Sequence, residues 1–160
     1  MVHLRRAVAR NEGVEDGLAL LVMALDPFVI SDPYDDGAQR EEVRRVSAGR
    51  LIGCLHHTLV AARVAGEEFL VLAEGGARDD VVALADQILM AVRWPDPLLL
   101  GGTSVTASVG IAFPRPAMSA EQLLINADNA MYAARHGGGN RHQLFDESLR
   151  ESALSVPVAT

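Results

Sequence analysis

Two adjacent carboxylates, Glu67 and Glu68, are the residues of this sequence best placed to do chemistry. They follow an Ala65-Gly66 turn between an alternating segment, 58–62, and a short apolar run, 70–73. This pattern predicts a β-hairpin, and glycine suits its turn because a left-handed backbone costs glycine little. Because side chains alternate along a strand, we expect one carboxylate to face a site and the other to face away. The competing interpretation is a solvated, charged turn.

Composition narrows the classes of protein to which the chain can belong. Its 160 residues, 49% hydrophobic and 22% charged, suit one globular domain. The net charge of -7 argues against a nucleic-acid backbone or an anionic membrane surface as partner, although a local site can still hold a nucleotide with a metal. The single cysteine, Cys54, excludes an internal disulfide, and no run of 18 apolar residues predicts a membrane span. We therefore expect a cytoplasmic protein.

The elements that must position the carboxylates follow from apolar periodicity and capping signals. The predicted order is helix 2–11, buried strand 18–25, helix 38–57, the hairpin, helix 78–92, a short edge strand 98–100, strand 105–113, a helix opened by Ser119, and strand 141–145. This order predicts an α+β fold in which helices pack on a mixed sheet.

Three motifs, in this order, resemble those of GGDEF domains, the diguanylate cyclase family. Residues 62–69 read A-R-V-A-G-E-E-F, which resembles the signature hairpin with AGEEF as its core. Residues 105–112 read V-T-A-S-V-G-I-A, and residues 123–135 carry L-L followed by A-D-N-A-M-Y-A-A-R, with G-G-N-R at 138–141. The resemblance covers about residues 58–146 and, more weakly, 18–57.

The resemblance implies a palm-like domain with a central, mainly antiparallel mixed sheet flanked by helices. It assigns residues 1–147 to one domain, in which 1–16 form an N-terminal helix and turn, and 148–160 to a flexible C-terminal tail. Active members bind GTP and Mg²⁺, and two facing subunits join two GTP molecules into cyclic di-GMP. This is metal-assisted phosphoryl transfer, in which carboxylates hold the cations that neutralise the triphosphate.

Some of the residues that this chemistry requires are present. Glu67 matches the metal-binding acid of the hairpin and Glu68 the second acid, and both would be catalytic in an active enzyme. Phe28, Gly66 and Arg135 match positions that contact the nucleotide. The resemblance therefore implies Mg²⁺ as the cofactor if a nucleotide binds.

Other positions depart from the family pattern. Ala24 stands where the first strand should supply a metal ligand, and Asp26, the remaining candidate to share a metal with Glu67, lies two residues or roughly 6.6 Å further along the strand. The base-reading asparagine falls on Ser31 or Asp32, depending on a one-residue deletion. A second guanine-binding acid falls near Arg40, which has no acceptor for the base. On the phosphate side, an arginine is replaced by Gly139, and the inhibitory R-x-x-D is absent.

These departures predict a degenerate GGDEF domain without cyclase activity. Its predicted role is a nucleotide-binding or protein-interaction module in cyclic di-GMP signalling. The expected ligands are GTP or cyclic di-GMP, and the expected protein partner is a second copy, an active GGDEF protein or another signalling protein. The alternatives are an active diguanylate cyclase and a purely structural partner domain that binds no ligand.

Overall fold

The computed structural model describes residues 1–11, 17–28, 37–55, 59–93 and 104–149. The helices in this part of the chain are α1 (Val2–Arg10), α2 (Ala38–Gly53), α3 (Arg78–Val92) and α4 (Ala120–His136). The strands are β1 (Leu18–Leu25), β2 (Leu59–Ala65), β3 (Glu68–Glu74), β4 (Ala107–Ala112) and β5 (Arg141–Leu144). None of the described helices is both long and apolar enough to cross a membrane.

The strands form one sheet in the order β2-β3-β1-β4-β5. β1 runs antiparallel to both of its neighbours, β3 and β4, whereas β5 runs parallel to β4. The α+β prediction, with a mixed and mainly antiparallel sheet, is confirmed. Every residue of β1 is buried, as the unbroken apolar run of its sequence predicts for a strand that is covered on both faces.

Each face of β1 belongs to a different core. Ala19, Leu21, Met23 and Leu25 lie in the cluster that includes buried residues of α2 and α3. Leu18, Leu20, Val22 and Ala24 lie in the cluster that includes buried residues of α1 and α4. The chain therefore leaves the end of β1 between two helical layers, and side chains that follow it can reach either one.

Several predicted boundaries move. Helix α2 ends at Gly53 rather than at 57, because Cys54 and Leu55 donate to carbonyls three residues back and tighten the last turn. The hairpin turn is Gly66-Glu67 rather than Ala65-Gly66, because both strands continue further towards the tip than their apolar runs suggest. The predicted edge strand 98–100 lies outside the described residues.

Gly110 of β4 lies directly beneath α4. A β-carbon built on this glycine would come within 2.0 Å of the Ala127 carbonyl oxygen and 2.1 Å of the Met131 nitrogen. Helix α4 therefore packs against bare strand backbone, and no side chain fits between the two elements. This contact sets how closely α4, with Arg135 near its end, approaches the sheet.

We expect Gly110→Ala to lower the free energy of unfolding by about 3 kcal/mol or more, because α4 must move away from β4 to make room. Urea denaturation followed by circular dichroism measures this change. Gly49→Ala is the matched control, since nothing lies within 4 Å of its added carbon and alanine favours the interior of α2, with an expected gain of about 0.5–1 kcal/mol. Equal stability of the two variants would contradict the close contact.

Candidate functional site

The tip of the β2–β3 hairpin is bonded to the end of β1. The Leu25 amide donates to the Glu67 carbonyl oxygen at 3.1 Å, and the next amide, that of Asp26, donates to the Thr106 carbonyl oxygen at 2.9 Å. At the tip, Gly66 has a φ of 52°, which is the left-handed conformation that favours glycine. The end of β1 is therefore wedged between the hairpin and the segment that leads into β4.

The Glu67 carboxylate is held by two guanidinium groups of α2. Arg40 donates from Nη1 at 2.8 Å and Arg44 from Nη2 at 3.2 Å, and both bonds end on the same oxygen, Oε1. Glu67 and Arg44 retain only 25% and 22% of their side-chain exposure, so these charge-assisted bonds are partly shielded from water. The carboxylate at the family's metal-binding position is thus already paired with cations of the chain itself.

Phe28 lies beneath one of these arginines. The Arg40 guanidinium carbon is 4.5 Å from the centroid of the Phe28 ring, and Nη2 is 3.5 Å from the Phe28 carbonyl oxygen. The ring itself packs on the core between the sheet and helices α2 and α3. The cation–π contact and the bond to Glu67 together fix the direction of the Arg40 side chain.

A second set of ion pairs joins the hairpin to α2. Arg63 of β2 donates to the Glu41 carboxylate from Nη1 at 2.9 Å, and Arg44 reaches the same carboxylate at 3.2 Å. The Arg63 hydrogen bond, and after it the Arg44 bond, lowers the pKa of Glu41 below its ordinary value of 4.5. Arg63 also donates from Nε to the Gly66 carbonyl oxygen, so the same residue supports the turn.

Glu68 belongs to the other face of the sheet. It pairs in register with Ala24 of β1, and side chains paired across antiparallel strands point to the same face, here the one covered by α1 and α4. Within the described residues, no side chain bonds to the Glu68 carboxylate. The two hairpin acids thus face opposite sides, as the alternation of the sequence predicts. The neighbour of Glu68 on β1 is the wholly buried methyl group of Ala24.

Asp26 is buried, and both of its carboxylate oxygens accept hydrogen bonds. Oδ1 accepts from the Ser108 hydroxyl at 2.6 Å, and Oδ2 accepts from the Thr106 hydroxyl at 2.7 Å and from the Asn140 amide at 2.8 Å. A β-carbon on Gly139 would lie 2.8 Å from Oδ2. Asp26 therefore ties the end of β1 to β4 and to the turn before β5, and it leaves no room for a side chain at residue 139.

Thr106 and Ser108 are site residues that the sequence reasoning did not single out. The signal was present in the V-T-A-S strand motif, because two hydroxyl residues at alternate positions lie on the same face of a strand. Their partner could not be found in this way, since it lies 80 and 82 residues earlier in the chain.

Arg135 reaches the same end of β1 from α4. Its Nη2 donates to the Leu25 carbonyl oxygen at 2.8 Å, and its Nε is buried without a partner among the described residues. The structure thus brings Asp26, Glu67, Glu68 and Arg135 around one strand end. Ser31 and Asp32 lie outside the described residues.

These side chains do not fit a magnesium site. Mg²⁺ needs oxygen ligands at about 2.0–2.1 Å in a near-octahedral arrangement. Ala24 has no oxygen ligand in its side chain, Asp26 accepts three bonds from the protein, and Oε1 of Glu67 is shared by two guanidinium groups. In the part of the chain that the structure describes, no group of three or more His, Cys, Asp or Glu residues could hold a metal ion.

Sequence comparisons find one family. The profile described as "Diguanylate cyclase, GGDEF domain" matches residues 2–141. The chain is 31% identical over 145 residues to the cyclic di-GMP phosphodiesterase PdeR of Escherichia coli (strain K12), which is 89% of this chain and 22% of PdeR. It is 30% identical over 153 residues to the bifunctional diguanylate cyclase/cyclic di-GMP phosphodiesterase MucR of Pseudomonas aeruginosa, covering 94% of this chain and 22% of MucR. The chain thus spans about a fifth of the length of these relatives.

The fold matches a solved structure of the same kind. The coiled coil and GGDEF domain of DgcB from Caulobacter crescentus, in complex with c-di-GMP, superposes with a TM-score of 0.79 at 26% identity. The match covers 89% of this chain and 77% of that chain.

We expect Asp26→Asn to destabilise the fold by about 1–3 kcal/mol, because the neutral amide loses the charge that strengthens these three bonds and keeps only one acceptor oxygen. Urea denaturation measures the loss. Asp128→Asn, at an exposed position of α4, makes the same chemical change without a buried network and should leave stability unchanged. Stability of Asp26→Asn equal to that control would show that the buried bonds do not hold this end of the sheet.

We expect the stabilising effect of Glu41 to depend on pH. Because its pKa is lower in the folded state, the contribution of Glu41 is complete above its ordinary value of 4.5 and is lost as the pH falls through the folded-state pKa. Glu41→Gln should therefore be less stable than the parent at neutral pH and should approach it in acid. The same comparison in an Arg63→Met background should show a smaller difference, and an unchanged difference there would contradict Arg63 as the main cause.

Proposed function

Because this chain belongs to the GGDEF domain family of diguanylate cyclases, we propose that it acts in cyclic di-GMP signalling as a nucleotide-binding module that does not make cyclic di-GMP. The observation that carries this proposal is the pairing of the Glu67 carboxylate with arginines of the chain itself. This carboxylate bonds two guanidinium groups, and the strand position that should share a metal with it is Ala24.

Phosphoryl transfer depends on cations held precisely on the reacting phosphates. In the described part of the chain, residue 24 has no carboxylate, and both oxygens of the buried Asp26 already accept hydrogen bonds from the protein. Loss of one preorganised electrostatic contact costs about 3 kcal/mol of transition-state stabilisation. Two such losses slow a reaction by about 10⁴-fold, which supports a module without turnover.

The remaining residues favour binding of an anionic ligand. Arg40, Arg44 and Arg135 carry guanidinium groups to the end of β1, and guanidinium groups suit phosphate oxygens because several donors lie in one plane. Phe28 and Gly66 shape the same region. The proposed ligand is GTP or cyclic di-GMP, with Ser31 or Asp32 as proposed contacts to the base.

A role in binding proteins fits the same proposal. PdeR is a cyclic di-GMP phosphodiesterase and MucR a bifunctional diguanylate cyclase/cyclic di-GMP phosphodiesterase, and this chain corresponds to 22% of each. We propose that it works beside another signalling domain, either a second copy or an active GGDEF protein. The proposed location is the cytoplasm, because a free cysteine is compatible with its reducing environment.

Incubation of the purified chain with GTP and either Mg²⁺ or Mn²⁺ should give no cyclic di-GMP by chromatography, because the carboxylates that would place the metal are missing or paired. An active GGDEF diguanylate cyclase in the same buffer is the positive control. Calorimetric titration with GTP should saturate at one site per chain.

The two alternative functions, an active diguanylate cyclase and a purely structural partner domain, give different results in these two assays. Robust formation of cyclic di-GMP would establish the active cyclase and overturn the proposed function. Absence of saturable heat with both GTP and cyclic di-GMP would overturn nucleotide binding and leave the purely structural partner domain.

A further inference from the structure

The ion-pair cluster between α2 and the β2–β3 hairpin contains more positive than negative charges. Three guanidinium groups, those of Arg40, Arg44 and Arg63, bond to two carboxylates, those of Glu41 and Glu67. The cluster therefore carries one net positive charge in a chain whose total is -7. A local positive charge on an acidic protein, in a cluster that is partly shielded from water, attracts a compact anion.

The charges around Glu67 differ from those of the family pattern. The pattern places acids near residues 24 and 40, and this chain has Ala24 and Arg40 there. The family's metal-binding acid is absent at residue 24, its guanine-binding acid is absent near residue 40, and a positive charge has been added beside Glu67. A metal ion at Oε1 of Glu67 would have to approach between guanidinium nitrogens that lie 2.8 and 3.2 Å from that oxygen, where like charges repel.

We propose that Arg40 and Arg44 stand in for the divalent cation, so that the site at Glu67 binds a polyphosphate without magnesium. This rests on the proposed nucleotide binding and names the chemistry of that site. A metal held by one carboxylate offers phosphate oxygens a residual positive charge, and two guanidinium groups sharing one carboxylate offer the same.

The geometry shows which arginine meets the ligand. Arg44 retains 22% of its side-chain exposure and bonds Glu41 as well as Glu67, so it holds these two carboxylates together on the less exposed side of the cluster. Arg40 retains 38% and is fixed by Glu67 and the Phe28 ring. A guanidinium group has five N–H donors, more than the bonds of Arg40 to Glu67 and the Phe28 carbonyl use. Arg40 can therefore donate to phosphate without leaving its place.

The test is calorimetric titration of the full chain with inorganic tripolyphosphate and with GTP, each in EDTA and in Mg²⁺. We expect the affinity of the protein for tripolyphosphate to be as high in EDTA as in Mg²⁺. Arg40→Ala should weaken it by about tenfold, or about 1.4 kcal/mol. Arg45→Ala is the matched control, because this arginine lies on the same helix but pairs with Glu42, away from Glu67. It should bind like the parent.

Glu67→Gln separates the two kinds of site. If the arginines replace the metal, removing the negative charge of Glu67 weakens its attraction for both guanidinium groups and strengthens polyphosphate binding in EDTA. A metal-dependent site would instead lose its ligand and bind more weakly. Circular dichroism of each variant confirms that the fold is kept, and Arg40→Lys, which retains charge but not the planar donor group, should recover only part of the affinity.

Each outcome decides one question. Binding of GTP or tripolyphosphate only with Mg²⁺ would overturn this inference and leave the proposed nucleotide binding intact. Saturable binding of Mn²⁺ alone that disappears in Glu67→Gln would also overturn it. Absence of tripolyphosphate binding under both conditions would overturn it as well. Binding of tripolyphosphate in EDTA without any binding of GTP or cyclic di-GMP would support the inference and overturn the proposed function.

Discussion

The hydrogen bonds to the buried Asp26 carboxylate are the constraint on which the geometry of the site depends. Two hydroxyl groups and one backbone amide converge on it from the segment around β4 and from the turn before β5. An unpaired buried carboxylate is costly, so the donors and the acid hold one another in place. The backbone of the same strand end also bonds Glu67 and Arg135. Fixing Asp26 therefore fixes the residues on both faces of the site.

The two faces of that strand end have different electrostatic roles. On the α4 side, the carboxylate of Asp26 accepts bonds from two hydroxyl groups and one backbone amide, and Glu68 lies opposite a methyl group. On the α2 side, Glu67 is surrounded by guanidinium groups that join the hairpin to the helix. A frame shared with GGDEF domains can thus keep its shape with alanine at residue 24, because hydrogen bonds and ion pairs within the protein hold the same elements together.

The fold was predictable from the sequence to a large extent. Strand β1, helix α3 and the Ser119 start of α4 were all visible as apolar runs or capping residues, and α3 begins and ends where its periodicity indicates. Ends set by backbone geometry were harder to place. Helix α2 stops four residues early, and the hairpin turn is shifted by one residue, because the conformation of Gly66 and the tightening at Cys54 depend on neighbours that the local pattern does not contain.

The sequence by itself determined the family, the α+β architecture and the absence of an acid at residue 24, because these follow from local patterns and from motif order. Only the tertiary structure decided that both oxygens of Asp26 accept hydrogen bonds, that Gly110 admits no side chain, and that Arg40 and Arg44 meet on Glu67. The physical reason is that hydrogen bonds and charge pairing act over a few ångströms in space. The hydrogen-bonded partners of Asp26 and Glu67 lie between 23 and 114 residues from them along the chain, and local sequence patterns do not reveal contacts at such separations.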